Sequence, residues 1–295
     1  MKKEYLYAAV PIFFWGSTAA VTKVLLEYTG RFQILFFSSL IATATLLVIN
    51  LSTGAMKELR SYRPKDFLRL CPLGVLGLFT YYSLLYTSID RMAAQDAFII
   101  NYLWPIMTVV FSCIFLREKI TVRTVIALLL SFLGVAVVAT KGRLLSFEFT
   151  DPIGILCSAG AAVAYGLFSA LNKKESGSPF LNMMLFYGST CICTGLLLVF
   201  MGDFHFSGTT PIFWAGTAWM GLLTQGLSYA CWAKALKLGN TARISNLAFI
   251  TPFLSLIYGL VLLKEPIELS SVIGLVFIVA GVLFQMKRSA DTASA

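Results

Sequence analysis

Charge is scarce in this chain. Only 13% of its 295 residues are Asp, Glu, Lys or Arg, while 58% are hydrophobic and mean hydropathy is +0.82. That balance excludes a soluble domain of this length. Histidine is rarer still, with His205 alone, and no His-Glu-x-x-His, P-loop or G-x-G-x-x-G segment occurs. Zinc chemistry and ATP-driven work therefore have no support. The six cysteines (Cys71, Cys113, Cys157, Cys191, Cys193, Cys231) fall at or inside apolar stretches, where neither a disulfide framework nor zinc-ligand spacing is readable. They are expected to pack.

What the chain does have is ten apolar stretches, near residues 5 to 26, 32 to 52, 67 to 88, 93 to 116, 121 to 140, 153 to 173, 181 to 201, 212 to 236, 241 to 263 and 270 to 287. Each is long enough, at about 1.5 Å per residue, to cross a hydrocarbon core of roughly 30 Å with some tilt. The second half also repeats the first. Trp15, Gly16 and Lys23 match Tyr165, Gly166 and Lys173 at an offset of 150, and Gly74, Tyr82, Pro105, Glu118 and Gly134 match Gly221, Tyr229, Pro252, Glu265 and Gly281 at 147. Five spans per copy is an odd number, so the second copy is inverted if every segment spans. The expected architecture is all-α and integral to the membrane: ten transmembrane helices in two inverted five-helix repeats, residues 1–145 and 146–295. A small-molecule transporter is the leading expectation.

The net charge of +9 could suggest nucleic acid, but its distribution decides otherwise. With the N-terminus inside, even-numbered loops and both termini carry 17 of the 23 Lys and Arg residues, the opposite side carries five, and Lys23 lies within a span. That is the positive-inside pattern. It predicts a multi-pass cell (inner) membrane protein with both termini cytoplasmic. Met1-Lys2-Lys3 before an apolar stretch resembles a signal peptide, yet no small-residue cleavage site follows, so the segment should stay attached. The partners implied are a small-molecule solute and the lipid bilayer, with no nucleic acid, no cofactor and no metal. A monomer is expected.

Two matched prolines mark the interior. Pro105 and Pro252 place a helix break at one depth in both copies, each freeing the carbonyl four residues earlier, Asn101 and Ala248. A single membrane proline usually means a packing kink. Symmetric pairing at mid-depth points instead to discontinuous helices of the kind that bind solutes at repeat interfaces. Asn101, Pro105 and Thr108 share a face with Trp104 at its flank, answered by Ala248, Pro252 and Ser255, with Thr251 opposite Trp104. Further helical faces carry Trp15 with Thr18, Tyr165 with Phe168, Tyr82 with Tyr86, and Gln225 with Tyr229 and Trp232. Trp15, Trp104 and Tyr165 lie too deep to be interfacial anchors. Packing remains the bland account of any one of them, above all for Phe. Together with Asn101 and Gln225 they resemble a pocket for a planar or apolar solute.

Intramembrane ionisable residues are few: Lys23 toward the outer end of span one, and Asp96 near the outer start of span four. A charge at a helix centre costs about 2.5–3.5 kcal/mol by insertion scales, so near the edge these two are expected to pair as a gate rather than couple protons. Gly74, Gly77, the run from Ser158 to Ala162, Gly188, Gly195, Gly221 and Gly226 read as packing positions.

Phe14-Trp15-Gly16-Ser17 with Lys23, Leu116-Arg117-Glu118-Lys119 leading to Gly134-Val135, and Leu263-Lys264-Glu265 leading to Gly281-Val282 resemble the drug/metabolite transporter superfamily, in its ten-helix, EamA-type exporter group. Asn101-Tyr102-Leu103-Trp104-Pro105 is similar to the motif of the aromatic amino acid exporters. The resemblance implies export without ATP through a central cavity lined by helices one, three, four, six, eight and nine, with the bundle rocking between inward-open and outward-open states. The expected solute is an aromatic or other hydrophobic amino acid. The alternatives are other amino acids or amphipathic drugs, with or without proton coupling. A membrane enzyme or scaffold ranks last, since no catalytic dyad converges on the cavity. The expected solute-binding residues are Trp15, Thr18, Tyr82, Tyr86, Asn101, Trp104, Pro105, Tyr165, Gln225, Tyr229 and Pro252, with Lys23 and Asp96 gating.

Overall fold

A computed structural model describes residues 3–91, 94–140, 151–203, 210–258, 260–261 and 269–286, and no strand occurs among them. Five helical rods, Lys3–Leu26, Arg31–Ser52, Pro64–Ile89, Pro152–Lys174 and Pro179–Met201, are long and apolar enough to cross a membrane. Trp104–Leu116, Val122–Val137 and Val272–Phe284 are shorter apolar helices. The chain is a multi-pass membrane protein. Glu265, His205 and the side chain of Asp96 lie outside the described residues.

In chain order the helices are α1 (Lys3–Gly16), α2 (Thr18–Leu26), α3 (Arg31–Ser52), α4 (Pro64–Gly74), α5 (Tyr81–Arg91), α6 (Ala94–Asn101), α7 (Trp104–Leu116) and α8 (Val122–Ala139). The second half adds α9 (Pro152–Lys174), α10 (Pro179–Met201), α11 (Pro211–Trp219), α12 (Ser228–Leu238), α13 (Thr241–Leu247), α14 (Thr251–Tyr258) and α15 (Leu269–Met286). Starts are written locally. Proline opens α4, α9, α10 and α11, where its missing N–H costs no hydrogen bond. The Asp151 carboxylate caps α9 by accepting from the backbone N–H of Ile153 and Gly154 at 2.9 and 3.0 Å, and Asn240 caps α13 by accepting from Arg243 N–H.

Burial runs opposite to that of a soluble protein. Val48, Leu51, Leu196, Phe200, Val276 and Leu283 are exposed, while Ser38, Asn50, Thr190, Thr194 and Gln225 are fully enclosed. Several enclosed hydroxyls donate back along their own helix, among them Thr194 to Thr190 O at 2.7 Å and Thr190 to Phe186 O at 2.9 Å.

Matched glycines reveal how the copies are arranged. A Cβ added at Gly134 would lie 2.6 Å from Gly274 O and 2.9 Å from Ile278 N; one at Gly281 would lie 2.8 Å from Ala127 O and 3.0 Å from Ser131 N. Residues 274 and 278 are the matches of 127 and 131, so the contact is the same one with the copies exchanged. The pattern recurs. Gly16 abuts Leu254 and Ser255 while Gly166 abuts Met107 and Thr108; Gly74 abuts Phe186 and Ser189 while Gly221 abuts Ser38 and Ile41. Reciprocal contacts of this kind are the pattern that a two-fold relation between the halves would produce.

The breaks repeat too. α7 starts at Trp104 and α14 at Thr251, 147 residues apart, each with its proline second in the helix. The expected spans 93 to 116 and 241 to 263 are thus not kinked rods but pairs of helices, because proline is tolerated in a first turn and not in a helix interior. Two features were not foreseen: π-helical segments at Val75–Thr80 and Met220–Leu227, again in matched places, and a break in the first rod at Ser17.

The exchanged contacts make a symmetric prediction. Gly134→Ala and Gly281→Ala each push a methyl against opposing backbone and should destabilise alike, by about 1–3 kcal/mol for overpacking. Gly188→Ala, whose nearest neighbour would be Thr43 at 3.8 Å, should be close to neutral. Thermal unfolding in detergent reads all three.

Candidate functional site

The breaks, π segments and close crossings converge on one aromatic cluster. Trp15 ends α1 just before the break, where Ser17 donates to Phe14 O at 2.6 Å and accepts from Trp219 Nε1 at 2.8 Å. Its ring meets Trp104 (5.8 Å between centroids), Tyr165 (6.3 Å), Tyr229 (5.0 Å) and Trp232 (5.4 Å), mostly edge to face. Trp104 also meets Tyr165 at 5.0 Å and Trp232 at 5.4 Å. Tyr165 meets Tyr81 at 5.1 Å and Tyr229 at 5.6 Å, and Tyr82 meets Tyr86 at 5.6 Å. Each edge-to-face pair adds about 0.5–1.5 kcal/mol beyond burial.

Matched residues of the two halves meet here. Trp15 touches its counterpart Tyr165, and the Tyr82 and Tyr229 hydroxyls, 147 residues apart, share a hydrogen bond of 2.9 Å. Each π segment ends two residues before one of these tyrosines. One extra residue per turn resets the facing of the helix that follows, a device common at functional sites.

Polar groups enter the cluster without full satisfaction. Asn101, at the end of α6, donates from Nδ2 to the Tyr81 hydroxyl at 3.2 Å, leaving Oδ1 enclosed with no partner. Both amide atoms of Gln225, the Trp232 Nε1 and the Thr251 and Thr18 hydroxyls are likewise enclosed and unpartnered. Trp15 Nε1 is met by Thr224 O at 3.0 Å, and Thr108 donates to Trp104 O at 2.9 Å. The named residues of the cluster are all uncharged. The arrangement can stack a planar group, donate from Trp232 and accept at Asn101.

Of the residues expected at the site, Trp15, Tyr82, Tyr86, Asn101, Trp104, Tyr165 and Tyr229 are joined by ring contacts and hydrogen bonds. Their rings touch one another, so the cluster is closed rather than an open chamber. Pro105 and Pro252 are buried in the first turns below the breaks, and Gln225 is buried within its π segment. Lys23 is exposed in the last turn of α2. Trp232 belongs at the centre and stood on the expected face; Tyr81 and Tyr187 were missed. The π segment hides Tyr81 from α-helical spacing, and Tyr187, 5.7 Å from Tyr229, sits in an apolar helix with no distinguishing pattern. An apolar groove of about 730 Å³ along Tyr62, Pro64, Phe67, Leu68, Cys71 and Pro72 shares no residue with the cluster and gathers no convergent polar groups.

With this geometry in hand, comparison with known proteins decides the family. The profile of the EamA-like transporter family matches residues 2–140 and again residues 152–286. The chain belongs to that family, within the drug/metabolite transporter superfamily. A protein named "Uncharacterized transporter" from Clostridium kluyveri is 27% identical over 100% of this chain and 99% of its own length. Another of that description from Archaeoglobus fulgidus is 25% identical over 97% and 99%. "Aromatic amino acid exporter YddG" from Ancylobacter novellus is 24% identical over 62% of this chain and 63% of its own. A solved crystal structure superposes with a TM-score of 0.80 at 20% identity, covering 96% of each chain, so the EamA fold is shared.

The central hydroxyl pair yields a double-mutant prediction. Tyr82→Phe or Tyr229→Phe alone strands the partner hydroxyl among rings and should cost about 1–3 kcal/mol. The double Phe variant should cost less than the sum of the two, since no orphan remains. Additive losses in unfolding measurements would mean that the hydroxyls do not act as a pair.

Proposed function

We propose that this EamA-family protein is a secondary exporter of aromatic or other hydrophobic amino acids, working by alternating access around the aromatic cluster. The observation that carries it is the uncharged ring cluster drawn from both halves, holding the unpartnered Asn101 Oδ1 and Trp232 Nε1. Edges and faces of Trp15, Trp104, Tyr165 and Tyr229 suit a planar side chain. The free acceptors and donors suit an ammonium and a carboxylate. The named resemblance to an aromatic amino acid exporter, over 62% of this chain, points the same way.

In this reading all ten apolar stretches span, residues 1–145 and 146–295 are the two copies, and the exchange axis lies in the membrane plane. The basic loops face the cytoplasm and the protein sits in the cell (inner) membrane. Lys23 and Asp96 remain the proposed outer gate, and a monomer suffices, with lipid as its surroundings. The second reading, export of other amino acids or amphipathic drugs with or without proton coupling, draws on the same lack of charge, which does not demand a zwitterion.

The test is uptake of labelled Phe, Tyr and Trp, alongside Leu and an amphipathic cation, into proteoliposomes. Trp104→Ala removes a stacking face and Asn101→Ala a polar handle. Each should lower aromatic flux by up to about tenfold, the equivalent of 0.5–1.5 kcal/mol. No aromatic transport by the unaltered protein, or full transport by both folded variants, overturns the assignment and leaves the family.

A further inference from the structure

One charged cluster lies apart from the ring cluster and crosses between the copies. Lys173, in the last turn of α9, donates from Nζ to Glu118 Oε1 at 2.7 Å, to Thr241 Oγ1 at 2.7 Å and to Gly239 O at 3.2 Å. Thr241 in turn donates to Glu118 Oε1 at 2.9 Å. The ammonium thus has three acceptors and no spare proton. Glu118 follows α7 of the first copy, whereas Gly239 and Thr241 join α12 to α13 of the second, so one side chain fastens three helix ends. Thr241 is buried, and the Lys173 and Glu118 side chains are only 16% and 25% exposed. Partial shielding strengthens such charge-assisted bonds.

The backbone beside Glu118 is held in an unusual shape. Arg117 has φ 55° and ψ 31°, the only non-glycine residue with positive φ among the described residues. That left-handed step turns the chain back so that Glu118 N–H donates to Ser112 O at 3.3 Å, placing the carboxylate beside Lys173. Non-glycine residues adopt this region at an energetic cost and cluster where surrounding contacts over-determine them. Here the over-determining contact is the clasp itself.

We infer that the Lys173–Glu118–Thr241 clasp is the latch of the cytoplasmic gate, closed in this structure and broken whenever the aromatic cluster opens toward the cytoplasm. The inference rests on the alternating-access reading and the orientation given above. α7 carries Trp104, α9 carries Tyr165, and α12 carries Tyr229 and Trp232. The ends of α7, α9 and α12 that meet at the clasp therefore belong to the helices whose rings close on one another at the centre. Separating those rings on the cytoplasmic side requires those ends to part. A ligand or a mutation moves such an equilibrium only by its differential effect on the two states, and removing bonds present in the closed state alone shifts it toward the open one.

The experiment needs no solute, so its outcome is independent of which compound is carried. Purified full-length protein, reconstituted in one orientation, is titrated with iodide from either face while tryptophan fluorescence is read, and hydrogen exchange is followed by mass spectrometry. In Lys173→Met and in Thr241→Val, iodide from the cytoplasmic face should quench the central Trp15, Trp104 and Trp232 more strongly. The open population should rise by about tenfold, equivalent to 1.4 kcal/mol. Quenching from the opposite face should not increase, and exchange should rise over 241–247 but not in α8 or α15. Glu118→Gln, which keeps the shape and loses the charge, should behave likewise. Faster exchange at the clasp without added quenching of the tryptophans identifies a structural fastening and overturns the inference. So does equal added quenching from both faces, or no change in all three variants. If phenylalanine transport fails while the one-sided quenching appears, the latch stands and the solute assignment falls.

Discussion

Helices in lipid gain little by hiding apolar surface from one another, since the solvent is as apolar as their side chains; they hold together by close approach. In this protein that approach is set by glycines that face backbone across the copy boundary. Gly134 against Gly274 and Gly281 against Ala127 bring α8 and α15 within reach of each other's carbonyls, and Gly16, Gly166, Gly74 and Gly221 do the same elsewhere. Neither half packs as a unit with its own interior. Each supplies the wall the other needs, which is why the ring cluster draws on both.

Charge and aromaticity are separated along the same helices. A charge held deep in a membrane is costly, and the ring cluster carries none, with the neutral amide of Asn101 bonded to Tyr81 at its edge. The ion pair of Lys173 with Glu118 sits at helix ends, and Glu175, just past the end of α9, pairs with Arg69 of α4, whose side chain is 54% exposed. Transport on the proposed model needs both zones to respond together: rings that can part at the centre and charges that can let go at an end. α7, α9 and α12 run from one zone to the other, so they are the mechanical link between them.

The two-copy plan was legible because glycine, proline and aromatic residues recur at fixed offsets, and the requirement that each enforces is local. Pro105 and Pro252 announced the breaks, and the matched glycines the crossings. Trp15, Trp104, Tyr165 and Tyr229 were legible as deep rings. What escaped was anything that changes helical register. The π segments at Val75–Thr80 and Met220–Leu227 carry no residue signature, so the inward turn of Tyr81 could not be read from α-helical spacing. Lys173 was visible only as the match of Lys23. Its partners are 55 and 68 residues away in sequence and meet it only through the turn at Arg117, which sets Glu118, and the joint between α12 and α13, which sets Thr241.

The bridge between Tyr82 and Tyr229 joins two equivalent oxygens, yet a hydrogen bond has a donor and an acceptor. One hydroxyl gives its proton and the other receives it, so at its midpoint the molecule must choose between its copies, and either oxygen is able to donate. A pair of rotations of the two hydroxyl protons, with no heavy atom moving, reverses that choice. In either arrangement the bridge leaves unused the donor's lone pairs and the acceptor's proton, so it offers an incoming polar group a different handle on each side. Asn101 against Ala248 and Trp104 against Thr251 already make the two faces of the centre unlike; the shared proton adds a difference that can be reversed.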